Sequence, residues 1–196
     1  HTAYVFDLDG VVRDFAPGDP SAAIEAALSL PAGHVAATAF HSDLLTPTIT
    51  GRQTFDDWYS AICAALEDAA AEPGHVRHHM ERWRANRGTV IDETVERLET
   101  LRSSGHHTYV FTNGTDHVPA ELELLGLTRL FDGLLNTADF GVAKPDPRAY
   151  AAAHRAIERD LGRELARDEV WFTDDREDNV AAAREFGWDA EVFSRG

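Results

Sequence analysis

Short, continuously apolar runs alternate along this chain with longer stretches in which apolar residues return every three or four positions. The first run, Ala3-Tyr-Val-Phe6, is β-prone and free of polar residues, as expected of a parallel strand covered on both faces, and it stops abruptly at Asp7-Leu-Asp-Gly10. Similar runs lie at Thr108 to Phe111 and Val170 to Phe172, with weaker ones at Leu134-Leu135 and Ala190 to Phe193, each following a helical pattern. This rhythm predicts an α/β protein with a doubly wound, Rossmann-like parallel sheet.

Punctuation places the helices. Ile91, Val95, Leu98 and Leu101 recur at helical intervals before Gly105; Asp116 is expected to cap a helix running through Leu125. Asp146-Pro147 reads as an N-cap with proline in the first turn, and Glu177 to Phe186 as a helix closed by Gly187. Residues 14 to 90 break the alternation, because they carry helical patterns without a convincing strand. They are read as an inserted α-helical cap, with residues 1–13 and 91–196 forming the core domain. In this lobe Phe55, Trp58, Tyr59, Ile62, Cys63 and Leu66 share one stripe, and Pro17, Pro20, Pro31, Pro47 and Pro73 are expected to break the lobe into short helices.

Composition narrows the function classes. The 196 residues, 43% of them apolar, suffice for one good core and a small lobe, and no run approaches the roughly 18 apolar residues of a membrane span. A single cysteine, Cys63, excludes a disulfide framework or a cysteine metal site. With no basic leader pattern after His1, a cytoplasmic location is the expectation. Eighteen Lys plus Arg against 34 Asp plus Glu give a formal charge of −16, which repels nucleic acid. Neither a nucleic acid nor a membrane is an expected partner, and oligomeric state has no readable signal.

Four polar clusters close or follow the strand-like runs: Asp7-Leu-Asp9, Thr112-Asn113-Gly114, Lys144-Pro145 and Asp174-Asp175. In an open parallel sheet those carboxyl ends form the ligand crevice. Asp7 and Asp9 brought near Asp174 and Asp175 repel unless a cation or protons neutralise them. Magnesium suits such an oxygen set, since it takes a few carboxylates and binds substrate phosphate directly. Lys144, Thr112 and nearby amides can then hold phosphoryl oxygens. His75, His78 and His79 lie at helical spacing but lack a fourth ligand and read as a solvated face; Trp58 and Tyr59 read as lobe core.

Taken together, these segments resemble the haloacid dehalogenase superfamily across the whole chain. Its DxDG motif corresponds to Phe6-Asp-Leu-Asp-Gly-Val-Val12, its strand ending in Thr or Ser to Val110-Phe-Thr-Asn-Gly114, its lysine before proline to Ala143-Lys-Pro-Asp-Pro147, and its paired acids to Phe172-Thr-Asp-Asp-Arg-Glu-Asp-Asn-Val180. The resemblance implies that Asp7 is nucleophile and metal ligand, and that Asp9 is general acid/base with its backbone carbonyl on Mg2+. Thr112 would bind the phosphoryl group and Asn113 would add an amide contact. Lys144 would steady the nucleophile and the developing charge. Asp175 would ligate the metal directly, with Asp174 acting through water or positioning Lys144. Asn179 stands where a final acid is often found, as in sugar-phosphate phosphatases and epoxide-hydrolase amino-terminal domains, and would support the site from behind. Arg52, in the turn before the aromatic helix, is a candidate to touch substrate, because caps of this family select it. A second aspartate at Asp9 favours ester hydrolysis over dehalogenation, since a halide needs no proton. The expected substrate is a small phosphomonoester such as a sugar phosphate; a phosphomutase and a non-catalytic phosphate- or partner-binding domain are the alternatives.

Overall fold

The computed structural model describes residues 1–195. Its strands are β1 (Ala3–Phe6), β2 (Arg13–Asp14), β3 (Thr89–Val90), β4 (His107–Thr112), β5 (Gly133–Asn136), β6 (Val170–Asp174) and β7 (Asp189–Val192). Its helices are α1 (Ser21–Ala27), α2 (His34–Ala39), α3 (Ser42–Ile49), α4 (Phe55–Ala69), α5 (Val76–Ala85), α6 (Asp92–Ser103), α7 (Val118–Leu124), α8 (Thr137–Phe140), α9 (Pro147–Leu161) and α10 (Glu177–Phe186).

Five strands form one parallel sheet in the order β5-β4-β1-β6-β7. Alternation along each strand sends its side chains to opposite layers. Val5, Phe111 and Phe172 pack with Tyr150, Ala153 and Ile157 of α9 and Ala183 of α10, whereas Phe6, Val110 and Trp171 pack with Leu98 of α6 and Leu122 of α7. Covering on both faces is why the central strands carry no polar position before their ends. The architecture is the expected Rossmann-like, doubly wound α/β sheet.

The helical segment between β2 and β3 has its own core, in which Ile24, Val35, Trp58, Ile62, Leu66 and Met80 are buried together. The chain crosses to it and back through β2 and β3, paired antiparallel with Arg13 opposite Val90 and Asp14 opposite Thr89. A second attachment does not involve this ribbon: the Thr137 hydroxyl donates to the Ile49 carbonyl at 2.7 Å. Beside it Gly51 has φ +73°, and a Cβ there would stand 2.1 Å from the Ala138 carbonyl oxygen, so only glycine permits this approach.

Two details differ from expectation. Pro47 does not break a helix but lies inside α3. Its missing donor costs one bond near the helix end, and its carbonyl accepts the Arg52 N–H at 2.7 Å, closing the exit turn. Asp116 does not cap α7; its carboxylate accepts the backbone N–H of Phe55 at 2.7 Å, satisfying the first turn of α4 in the lobe instead. No helix is long and apolar enough to cross a membrane, among the described residues.

Candidate active site

All four polar clusters face the carboxyl edge of the sheet because their strands are parallel and adjacent. Asp7 follows β1, Thr112 ends β4 and Asp174 ends β6, while Lys144 arrives on the loop between α8 and α9. The Lys144 ammonium donates to Asp7 Oδ1 at 2.9 Å, to Asp174 Oδ2 at 2.7 Å and to the Phe111 carbonyl at 2.9 Å. All three donor positions of the ammonium are thereby used. Asn113 fixes the loop that delivers it, donating to the Lys144 carbonyl at 3.0 Å and accepting its N–H at 2.9 Å. Asn179 of α10 donates to Asp174 Oδ2 at 3.0 Å, and the Arg176 N–H donates to Asp174 Oδ1 at 2.9 Å.

Asp7, Asp174 and Asp175 can bring one oxygen each within 4.8 Å of one another. Asp7 and Asp174 are buried and Asp175 is exposed at the mouth. When all three are ionised, these carboxylates against the Lys144 ammonium leave two negative charges uncompensated. Burial pushes Asp7 up to about 7, and Asp174 and Asp9 add repulsion, although Lys144 pulls the other way. Asp175, although exposed as a whole, has a carboxyl partly screened from water, which raises it, and Asp174 adds to the rise. For Lys144 burial works downward, but Asp7 and Asp174 outweigh it and hold the ammonium above its ordinary range. An oxygen-only donor set with a surplus of two negative charges fits a hard divalent cation such as magnesium.

Gly10 explains the glycine of the DxDG segment. It adopts φ +87°, and a Cβ would fall 2.2 Å from Asp175 Oδ2. Its bare backbone lets the β1 and β6 loops close on each other.

The carboxylate of Asp9 is not among the converging oxygens. It accepts from Arg13 Nε at 2.6 Å, and Arg13 also donates to Glu121 Oε2 at 2.8 Å and to the Arg87 carbonyl at 3.2 Å. Arg13 is 3% exposed, and the two carboxylates raise its pKa against the downward pull of burial. Neither Arg13 nor Glu121 was a candidate from sequence; the i,i+4 spacing of Asp9 and Arg13 was the only available signal.

A cavity of about 290 Å³ lies between the helical lobe and the sheet edge, with Asp9 and Asn113 on its floor and Phe40, Trp58 and Trp83 on its walls. Arg52 does not line it and sits on a separate shallow groove with Ser42, Asp43 and Pro47. His78 and His79 contact each other on α5 and belong to no candidate metal-ligand group among the described residues.

Comparison with known proteins places this arrangement. Over 102 residues the chain is 34% identical to the GMP/IMP nucleotidase YrfG of Escherichia coli (strain K12), a match covering 52% of this chain and 43% of that protein. Over 104 residues it is 32% identical to the (S)-2-haloacid dehalogenase 4A of Burkholderia cepacia, covering 53% and 42%. The matches thus span less than half the length of either relative. Among solved structures, the HAD family enzyme bt-2542 of Bacteroides thetaiotaomicron, in complex with magnesium and inorganic phosphate, superposes with a TM-score of 0.70 at 18% identity, covering 100% of this chain and 95% of that one. The L-2-haloacid dehalogenase of Xanthobacter autotrophicus superposes at 0.65 with 22% identity, covering 96% and 76%. These two likenesses concern the fold. The profile of the haloacid dehalogenase-like hydrolases matches residues 1–187, from the strand that carries Asp7 through the helix that carries Asn179, and the chain belongs to that hydrolase family.

Proposed function

We propose that this hydrolase cleaves small-molecule phosphomonoesters in two steps through a phosphoryl group carried on Asp7. The observation that carries the reading is the buried Asp7 carboxylate, held at 2.9 Å by the Lys144 ammonium and facing an acid pair that leaves charge for a divalent cation. Asp7, Asp174 and Asp175 would hold magnesium, with the Asp9 carbonyl beside them; the metal supplies charge neutralisation between an anionic ester and an anionic nucleophile.

In the first step an Asp7 oxygen attacks phosphorus and the ester oxygen leaves with a proton from Asp9. In the second, Asp9 takes a proton from water, which attacks the aspartyl-phosphate and frees Asp7. Lys144 keeps Asp7 fixed and offsets charge as it develops, while the Thr112 hydroxyl and the amides beside Asn113 supply donors to phosphoryl oxygens. Asn179 and the Arg176 amide hold Asp174 so that Lys144 stays aimed. Asp9 needs to turn from Arg13 toward the ester oxygen, a rotation of one half-exposed side chain.

The presence of Asp9 supports ester cleavage over the carbon–halogen chemistry in the name of the dehalogenase relative, because an alkoxide needs a proton and a halide does not. The nucleotidase relative is named for phosphomonoesters, in keeping with this reading; the sugar phosphate expected from sequence is one member of the same class.

The test is phosphate release from a phosphomonoester panel with magnesium or with chelator. Turnover should require the metal, and Asp7→Asn should lower kcat on the order of 10³-fold or more without unfolding the protein. Halide release from 2-haloacids with no phosphate release would overturn the assignment.

A further inference from the structure

We infer that the cavity above Asp9 is a subsite for the leaving alcohol and selects alcohols bearing a planar, apolar body over polyhydroxylated ones. The inference rests on the phosphomonoesterase reading for its orientation, since the ester oxygen must reach Asp9, whose carboxylate lies on the cavity floor. Whatever is bonded to that oxygen projects between the lobe and the sheet edge.

The walls there are largely, though not wholly, hydrocarbon. Phe40, Leu45, Ile49, Phe55, Trp58 and Trp83 line them, and Trp58 has turned its only polar atom away, donating Nε1 to the Ala39 carbonyl at 3.0 Å. Phe40 is 58% exposed, a large ring left facing open space although the lobe around it is well packed. A ligand ring in this space would remove it from water.

Several of the polar groups that share the lining already have protein partners. Arg13 is bound to Asp9 and Glu121, and both amide atoms of Asn113 are bound to the Lys144 backbone. The Asn86 amide donates to the Phe15 carbonyl at 3.4 Å and accepts from Gly88 at 3.0 Å; Ser21 Oγ donates to Asp19 at 2.5 Å. Arg84 is paired with Asp56 at 2.7 Å. A chain of hydroxyls entering this space would lose its water wherever it met the apolar walls, which is costly for each group left unpaired. An aromatic or otherwise flat apolar body loses nothing by the exchange.

The experiment has a binding arm and a turnover arm, both with magnesium present. Calorimetry compares 3-phenylpropyl phosphonate with 2,3-dihydroxypropyl phosphonate, neither of which can be hydrolysed. Kinetics compares kcat/KM for the corresponding primary-alcohol phosphates, which draw similarly on Asp9. The phenyl compound should be favoured on the order of a hundredfold in both arms. Equal affinity, or preference for the diol, would overturn the subsite while leaving the hydrolase reading intact. A phenyl preference in binding with no turnover of either ester would keep the subsite and remove the hydrolase reading. Phe40→Asn, at an exposed ring whose loss should not unfold the lobe, should shrink the phenyl preference; an unchanged preference would count against the placement.

Discussion

Lys144 stands between two buried carboxylates, Asp7 and Asp174, and opposes the burial that pushes Asp7 toward keeping its proton. Replacing it in Lys144→Met leaves Asp7 and Asp174 facing each other without a counter-charge. Urea unfolding of the metal-free variant should show a loss of about 3–5 kcal/mol. Part of that loss should return with magnesium, because the cation restores positive charge at the same carboxylates. Protons and the cation compete for Asp7. Its carboxyl is pushed to about 7 in the folded metal-free protein against 3.8 ordinarily, so the unfolded chain ionises first as pH rises. Stability of the metal-free protein should therefore fall between about pH 4 and 7, and a fixed magnesium concentration should raise Tm more at pH 8 than at pH 5. A magnesium-induced Tm gain that is the same at both values would mean that the cation does not sit on Asp7. Much of this cluster could be read from the sequence, because Asp7, Lys144 and Asp174 each lie in a short motif. Arg13 and Glu121 could not, since the pair is 108 residues apart and only the packing of α7 against the first loop joins them.

Elements were legible where a local pattern decided them and illegible where a distant partner did. The five sheet strands, the aromatic helix α4 and the proline-started helix α9 all follow from periodicity and caps. Asp116 obeyed the chemistry of a cap but served α4, 61 residues earlier, and Pro47 was accommodated because it falls late in α3. The β1 loop joins both kinds of information. Its Gly10 marks a turn in the sequence, while the reason for it, the carboxylate of Asp175, belongs to β6 and its loop. Gly10→Ala should cost roughly 1–2 kcal/mol through the left-handed backbone alone. It should also push Asp175 aside and weaken magnesium binding at least tenfold by calorimetry, with the far-ultraviolet spectrum unchanged. Retained affinity would separate Asp175 from the metal.

At the scale of the molecule, the helical lobe is fastened to the sheet domain at several points: by the β2–β3 ribbon, and by contacts of Thr137, Ala138 and Asp116 with Ile49, Gly51 and Phe55. The change of period leads us to expect an insertion over residues 14 to 90, but a surface that forms only when α3 meets α8 has no local pattern to announce it. Each of the hydrogen bonds made by Thr137 and Asp116 is worth about 1 kcal/mol, so releasing the lobe there requires both to break. Thr137→Val should loosen that attachment, and hydrogen exchange should quicken in α3 and at the start of α4 while β1 and β6 stay protected. The double fastening also bears on the fate of the alcohol once its bond to phosphorus has broken. Held in the cavity beside Asp9, it stays within reach of the phosphorylated aspartate and can recapture the phosphoryl group before it escapes. Isotopically labelled alcohol should consequently wash into unreacted ester during turnover, and Thr137→Val should favour hydrolysis over this return traffic.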